Sequence, residues 1–229
     1  MLLLSALAPM LFPALAQAAV ISISSRQATA PSSYDCGQVR VDSPNTTYGG
    51  YLAADLDTER RYIVTRTTSQ KRLLTRYENN TLFTLNSNGK NPTFGATFGF
   101  YWDTPPGKPN FAPSAQNYAY FNSVAASKLG AKPANISASI NEAGTNPSTG
   151  KKRDHESESA IFYLQDPSSP SASGERELTA QWVNADGSFV PAYFVINTAR
   201  RINISGNLTR YFQEWEGSPA RIFCTGKSA

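Results

Sequence analysis

Three runs of alternating apolar residues between positions 159 and 197 form the clearest pattern in the chain. Residues 160–164 are all apolar or aromatic, and Leu178, Ala180 and Trp182 occupy every second position of the next run. This period of two is typical of strands with one buried face. Residues 184–187, NADG, have the Asx and glycine chemistry of a short hairpin turn before the third run at 189–196. The pattern predicts a β-meander.

Shorter alternating runs predict further strands and one helix. The predicted strands cover residues 34–41, 48–52, 61–68, 72–77, 81–86, 94–102, 118–121, 135–140, 202–204 and 221–224. In the aromatic run 94–102, Gly95 and Gly99 indicate a bulge or a close backbone approach. Residues 208–215 have the apolar spacing of a short amphipathic helix, and residues 123–129 are compatible with one or two helical turns.

Composition agrees with an all-β protein. Tyr, Phe, Thr, Ser and Asn are plentiful, and only 17% of the residues are charged, as expected of an extracellular β domain. We expect one domain over residues 34–229, preceded by a flexible leader at 19–33. The expected fold is a single antiparallel β-sandwich, jelly-roll-like or concanavalin-like, with one short C-terminal helix.

The N-terminus has the features of a secretory signal. Residues 1–18 are apolar and end in Ala16-Gln17-Ala18, the small-x-small pattern at which signal peptidase cuts. Pro9 and Pro13 interrupt the run, and a membrane-spanning helix needs about 20 apolar residues. We therefore predict a secreted protein without a transmembrane anchor, in an extracellular or cell-wall location.

The two cysteines, Cys36 and Cys224, lie near opposite ends of the mature chain. In an oxidising compartment they are expected to pair. Because a disulfide needs the two Cα atoms within roughly 7 Å, this pairing predicts that the first and last strands are neighbours.

Charge and sequons bear on possible partners. The formal net charge of +4 is spread over single and paired cations rather than a stripe, so we expect no nucleic-acid partner. The pairs Arg60-Arg61, Lys71-Arg72 and Arg200-Arg201 are interpreted as ordinary exposed strand charges. N-glycosylation sequons predict exposed positions in a secreted glycoprotein at Asn45, Asn79, Asn135, Asn203 and Asn207.

Aromatic residues supply the candidate ligand site. Rings can cover the apolar face of a sugar while carboxylates and amides bind its hydroxyl groups. The candidate ligand-binding residues are Tyr101, Trp102, Asp103, Asn110, Tyr118 and Trp215. Core packing is the simpler interpretation of at least half of the aromatic run, of Trp182 and of Trp215, because buried aromatics dominate β-sandwich interiors.

Catalytic signals are weak. The best candidate acids are Asp103 and Glu214, which lie beside aromatic residues, but no strand carries two acids at i, i+2 as a glycosidase cleft would favour. The single histidine, His155, lies in a polar segment, and no nucleophile elbow is present. We predict no metal site and no cofactor.

The segments SAIFYLQDP, ELTAQWVNADGS and RYFQEW, in about the last third of the chain, resemble small secreted β-sandwich glycoproteins of filamentous fungi, a group with mostly uncharacterised roles. The resemblance implies a cell-surface or cell-wall setting and carries no catalytic residues across.

The leading hypothesis is a secreted, non-catalytic wall or cell-surface glycoprotein that binds a polysaccharide or cell-wall glycan. One alternative is a polysaccharide-active hydrolase or lyase. Another is a secreted effector or structural coat protein without a small ligand.

The basic run Lys151, Lys152 and Arg153 suggests the hypothesis of a processing site, because kexin-type proteases cut after dibasic pairs in exposed polar loops of secreted proteins. Cleavage after Arg153 would leave two pieces joined by the Cys36–Cys224 bond. We expect two bands from the secreted protein on a reducing gel and one on a non-reducing gel. A single full-length band under reducing conditions would contradict processing, and Lys152→Gln with Arg153→Gln is the matched uncleavable control.

Overall fold

A computed structural model describes residues 32–58, 60–98, 110–112, 117–134, 136, 156–165 and 174–226. Several predicted features lie outside these residues. They are the signal segment 1–18, most of the leader, Tyr101, Trp102, Asp103, Asn135, Lys152, Arg153 and His155.

The described chain is built of strands with one short helix near its C-terminal end. The strands are β1 (Ser33–Asp42), β2 (Gly50–Leu52), β3 (Val64–Thr65), β4 (Leu74–Glu78), β5 (Thr81–Thr84), β6 (Thr93–Phe98), β7 (Tyr118–Val124), β8 (Ser157–Glu158), β9 (Phe162–Leu164), β10 (Arg176–Val183), β11 (Phe189–Asn197), β12 (Ile202–Ser205), β13 (Gly217–Pro219) and β14 (Arg221–Cys224). The helix α1 (Leu208–Glu214) lies between β12 and β13. The predicted all-β class and the C-terminal helix are confirmed.

The strands form one antiparallel ladder that closes on itself. The order β11-β12-β7-β6-β5-β4-β1-β14-β10 returns to β11 through the β10–β11 hairpin, which makes a closed ring of nine strands. This barrel differs from the predicted sandwich, in which two separate sheets would face each other. Period-two alternation is the same in both architectures, so it could not distinguish them.

The ring closes because two long strands change partners along their length. In β1, residues 33–38 pair with β4, whereas residues 39–42 pair with β14. A bulge between Asp35 and Gly37 marks this change. Gly37 has φ +61°, and a Cβ there would lie 1.9 Å from the carbonyl oxygen of Gly226, so only glycine fits. β11 likewise pairs first with β10 and then with β12 and β13.

A disulfide joins Cys36 to Cys224 across the β1–β14 contact, as predicted. Their Cα atoms are 4.5 Å apart, and the register places Val39 opposite Cys224. Gly226 N–H also donates to the carbonyl of Cys36. The first and last strands are therefore neighbours, and both cysteines are fully buried.

The interior is filled by aromatic rings from several walls. Phe94, Phe121 and Phe162 pack against one another with centroid distances of 4.5–5.8 Å. Phe162 belongs to a segment that we call the strap, residues 156–165, which contains β8 and β9. The strap pairs with β6 through β8 and with β10 through β9. A Cβ on Gly95 would lie 2.6 Å from the Glu158 carbonyl oxygen, so this glycine permits the predicted close backbone approach.

The predicted meander is confirmed, since β9 pairs with β10 and β10 with β11. Its turn is also as predicted, with Gly187 at φ +92° and its N–H donating to the carbonyl of Asn184. Two local predictions were wrong. Residues 123–129 contain no helical turn because Ser123 and Val124 continue β7, and the predicted strand 61–68 is reduced to β3 with isolated bridges at Arg61 and Ile63.

Replacing both cysteines by serine should destabilise the fold. The bond joins residues 188 positions apart, and removing a native disulfide from a small secreted domain costs on the order of 2 to 5 kcal/mol. Urea denaturation of the double variant should show a lower midpoint than the oxidised wild type. Dithiothreitol should lower the midpoint of the wild type and leave that of the variant unchanged. Equal midpoints for the variant and the oxidised wild type would contradict this expectation.

Candidate functional site

The outer face of β7 and β12 is polar and lies beneath α1. Ala119 and Phe121 of β7 point into the core, whereas Tyr118 and Tyr120 point away from it. Helix α1 covers this face through Tyr211, whose hydroxyl accepts a hydrogen bond of 2.9 Å from Asn203 Nδ2. Burial raises the pKa of Tyr211 to about 12, so the phenol stays protonated at neutral pH. The packing holds the helix, and with it Trp215, in a defined place.

Trp215 is positioned by both ends of α1. Asn207 caps the N-terminus by accepting from Arg210 N–H, and Trp215 is the C-cap, whose N–H donates to the Tyr211 carbonyl. The indole ring packs edge-on against Tyr118, with centroids 5.3 Å apart and planes at 72°. Two predicted ligand-binding residues, Tyr118 and Trp215, are thus in direct contact.

Half-buried Trp215 lines an open cleft of about 480 Å³. We call it the tryptophan cleft, and its lining residues are Tyr48, Thr198, Phe212, Gln213, Glu214, Trp215, Glu216 and Gly217. It therefore combines three aromatic side chains with one amide and two carboxyl groups. Gln213, Glu214 and Glu216 are exposed, whereas Tyr48 packs against the hydrophobic core.

Two hairpins have nearly the same sequence, D-T-E-R-R at 57–61 and N-T-A-R-R at 197–201, and the second contributes Thr198 to this cleft. In each, the N–H of the fourth residue donates to the carbonyl of the first. The N–H of the fifth residue donates to the side-chain oxygen of the first, at 2.8 Å and 3.0 Å. The fourth residue has φ +60° in both, which is uncommon for a residue other than glycine. The same turn is therefore built twice.

An ion pair links the two hairpins. Arg201 Nε donates to Asp57 Oδ2 at 2.7 Å, and Arg61 Nε lies 3.6 Å from the same oxygen. Arg61 also lies over the ring of Tyr120, at 5.6 Å from its centroid. Burial and the positive charge of Arg201 lower the pKa of Arg61, while Asp57 raises it. The interpretation of these arginines as ordinary exposed strand charges was wrong.

Arg200, the fourth residue of hairpin 197–201, fastens the loop that carries Tyr48. Its guanidinium donates to the carbonyl oxygens of Val64, Thr47 and Gly49, at 2.7, 2.7 and 3.3 Å. Because Thr47 and Gly49 flank Tyr48 in the chain, Arg200 fixes one wall of the tryptophan cleft.

Hairpin 57–61 lines a second cleft, of about 400 Å³. We call it the arginine cleft, and its lining residues are Leu56, Asp57, Thr58, Arg60, Asn88, Gly89 and Lys90. Glu59, the middle residue of the hairpin, lies outside the described residues. The lining is mostly polar and includes two cations, which distinguishes it from the tryptophan cleft.

Glu158 is a buried carboxyl group on the strap that lines neither cleft. It is 2% exposed, and Oε2 accepts a hydrogen bond of 3.1 Å from Val183 N–H. Oε1 has no hydrogen-bond partner within the described part of the chain. Desolvation raises the pKa of Glu158 to about 8, and the bond from Val183 opposes this only in part.

Other candidate residues from the sequence have structural roles. Trp182 is fully buried against Phe98 and Phe111, as the core interpretation predicted. Asn110 does not reach the tryptophan cleft, because its Oδ1 accepts a hydrogen bond of 2.8 Å from Ala185 N–H in the β10–β11 turn. Glu214 does line that cleft, but its proposed partner Asp103 is outside the described residues.

The sequons differ in accessibility. Asn45 and Asn79 are exposed, as predicted, and Asn207 is half-buried at the N-cap of α1. Asn203 corrects the expectation of exposure at every sequon. It is 3% exposed on β12, and the amide nitrogen that would carry a glycan donates to Tyr211.

Family models, curated proteins and solved structures were compared with the chain, and none of them matches it. Among the described residues, no group of three or more His, Cys, Asp or Glu side chains is arranged to hold a metal ion. In that same part of the chain, no helix has the length and apolar character needed to cross a membrane.

Glu158 should make stability depend on pH. Its pKa is about 8 in the folded protein and near 4.5 when unfolded, so the folded state holds the proton more tightly. Stability should fall as pH rises from about 4.5 to about 8, by on the order of 3 to 5 kcal/mol. Glu158→Gln keeps an acceptor for Val183 and removes the charge, so it should exceed the wild type in stability above pH 8.

Melting temperatures from pH 4 to pH 9 measure this difference. Glu216→Gln is the matched control, because it removes an exposed carboxyl group and should leave the pH profile of the wild type intact. A constant difference between Glu158→Gln and the wild type across the range would contradict the raised pKa.

Proposed function

We propose that this chain is a secreted, non-catalytic glycoprotein of a cell wall or cell surface, and that it binds a glycan in the tryptophan cleft. The observation that carries the proposal is the grouping of Tyr48, Phe212 and Trp215 around one open cleft together with Gln213 and Glu214. Aromatic faces suit the C–H faces of a sugar ring, and the amide and carboxylate oxygens suit its hydroxyl groups.

The size and openness of the cleft support a saccharide. Ligand sites in proteins commonly enclose roughly 300–1,000 Å³, and this cleft of about 480 Å³ lies within that range. Its acids are exposed and lie at the mouth beside the helix end. An open cleft can accept one unit of a longer polysaccharide, whose remaining units continue into solvent.

The arrangement of acids favours binding over hydrolysis. A glycosidase uses two carboxyl groups across the scissile bond, and the pKa of the acid partner is raised. Glu214 and Glu216 are both exposed to water, whereas the buried acid with a raised pKa, Glu158, lies elsewhere. The carboxyl groups of the cleft are therefore suited to accept hydrogen bonds from hydroxyl groups.

The disulfide and the exposed sequons support the proposal that the protein is secreted. The Cys36–Cys224 disulfide is the kind of bond that forms and persists outside the cytosol. Exposed Asn45 and Asn79 are accessible to the glycosylation machinery of a secretory pathway. Together with the signal-like N-terminus, these features support an extracellular or cell-wall location.

Removing the indole ring tests the proposal. Trp215→Ala should weaken binding to insoluble cell-wall polysaccharides or to arrayed glycans at least about tenfold, which corresponds to about 1.4 kcal/mol. The physical reason is the loss of the largest apolar surface in the cleft. Phe189→Ala is the matched control, because Phe189 is an exposed aromatic residue, 53% accessible, outside the cleft.

Three other outcomes would contradict the proposal. Equal glycan binding by the wild type and Trp215→Ala would show that the glycan does not bind in the tryptophan cleft. Release of reducing ends by the wild type, lost in Glu214→Gln, would support a hydrolase instead. Absence of binding to every glycan tested would favour an effector or structural coat protein.

A further inference from the structure

We propose that the arginine cleft binds an oxyanion group, either sulfate, phosphate or carboxylate, through Arg60 and Lys90 with help from Asn88. This site is separate from the tryptophan cleft and does not depend on the glycan proposal. Three features support the site: the different roles of Arg60 and Arg200 in the two hairpins, the balance of donors and acceptors in the cleft, and the backbone conformation of Arg60.

The two hairpins use their fourth residue in different ways. Arg200 has φ +60°, and its guanidinium donates hydrogen bonds to three backbone carbonyl groups, so its side chain has a structural role. Arg60 has the same backbone conformation, yet its guanidinium has no hydrogen-bond or ion-pair partner in the described part of the chain. Of two otherwise equivalent arginines, only Arg200 is explained by the fold.

The turn requires a left-handed backbone at position 60, but it does not require an arginine there. A residue other than glycine in the left-handed region is strained, and glycine would adopt it freely. Strained backbone of this kind is found more often at functional sites than elsewhere. The side chain of Arg200 attaches the Tyr48 loop, whereas that of Arg60 lines a cleft.

Among the described residues that line the cleft, side-chain donors outnumber the acceptors that are still free. Lys90 also lines it and, like Arg60, has no charged partner among the described residues. Asn88 Oδ1 accepts from Leu56 N–H at 3.2 Å, which leaves the amide NH₂ group as a donor. Asp57 is the acid in the described lining, and its two oxygens already accept from Arg61 N–H and Arg201 Nε.

This set of donors suits an oxyanion better than a neutral ligand. Sulfate, phosphate and carboxylate offer several acceptor oxygens, and a guanidinium can bind two of them at once. Since Asp57 is neutralised by Arg61 and Arg201, the charges of Arg60 and Lys90 remain to attract an anion.

Titration of the folded, full-length protein with sodium sulfate or sodium phosphate tests the site. Saturable binding should be seen by calorimetry or by chemical shifts, with sodium chloride at equal ionic strength as the blank. Arg60→Gly should lower the association constant at least tenfold, and Lys90→Gln should lower it severalfold. Because glycine accepts the φ of Arg60 without strain, the melting temperature of Arg60→Gly should equal or exceed that of the wild type.

Arg200→Gly is the matched control in the other hairpin. It should lower the melting temperature, because three carbonyl bonds are lost, and leave sulfate binding unchanged. Lys128→Gln, which removes an exposed charge outside the cleft, should also bind as the wild type does. It remains an informative control if Arg200→Gly fails to fold.

The proposal is overturned by any of three results. The first is that the wild type shows no saturable response to sulfate or phosphate beyond that to chloride. The second is that Arg60→Gly binds as well as the wild type. The third is that Lys128→Gln loses as much affinity as Arg60→Gly, which would indicate general charge attraction. None of these results involves Trp215, so this site and the glycan site fail or succeed separately.

Three polymeric probes distinguish the sources of the oxyanion. Dextran sulfate, an oligouronide and a phosphorylated mannan each present one of the three groups on a saccharide. Tighter binding of one of them than of inorganic sulfate, lost in Arg60→Gly, supports that group as the natural one. Equal binding of all three by Arg60→Gly and the wild type counts against the site.

Discussion

Strand β1 joins β4 through its first half and β14 through its second half, and every other part of the barrel depends on this change of partner. Gly37 makes it possible, since any side chain there would collide with the Gly226 carbonyl. The Cys36–Cys224 bond then holds the first and last strands together at the same point. The ring of strands, and the aromatic core inside it, are closed by a contact between residues almost two hundred positions apart.

The strap at residues 156–165 completes the interior from a different direction. It carries Phe162 into the core between β6 and β10, and it takes Glu158 out of water with it. A carboxyl group buried with one oxygen unpaired is tolerated most easily when it is protonated. The same strap that fills the core therefore makes the fold more stable in acidic than in neutral or alkaline surroundings.

Each candidate cleft is lined by one copy of the same hairpin turn. The hairpins at 57–61 and 197–201 share their hydrogen bonds and their left-handed fourth residue, and Asp57 ties them together through Arg201. One hairpin secures the Tyr48 loop through Arg200 and contributes Thr198 to the tryptophan cleft. The other presents Arg60 and Lys90 to the arginine cleft.

The sequence alone determined the local elements, because their signals lie within a few residues. The meander, the Asn184–Gly187 turn, helix α1 and the disulfide were predictable from alternation, turn chemistry, helical spacing and cysteine count. The repeated hairpin was also present in the sequence, as D-T-E-R-R and N-T-A-R-R, and an internal comparison of short segments would have found it.

Only the tertiary structure decided the closure of the ring and the use of each arginine and acid. Alternation in β1 and β11 is the same whether a strand keeps one partner or changes it midway, so barrel and sandwich were indistinguishable. Arg60 and Arg200 read alike in the chain, yet only Arg200 meets carbonyl groups, which come from residues more than a hundred positions away. Glu158 gave no signal in a polar stretch, because burial depends on what packs around a residue and not on its neighbours in sequence.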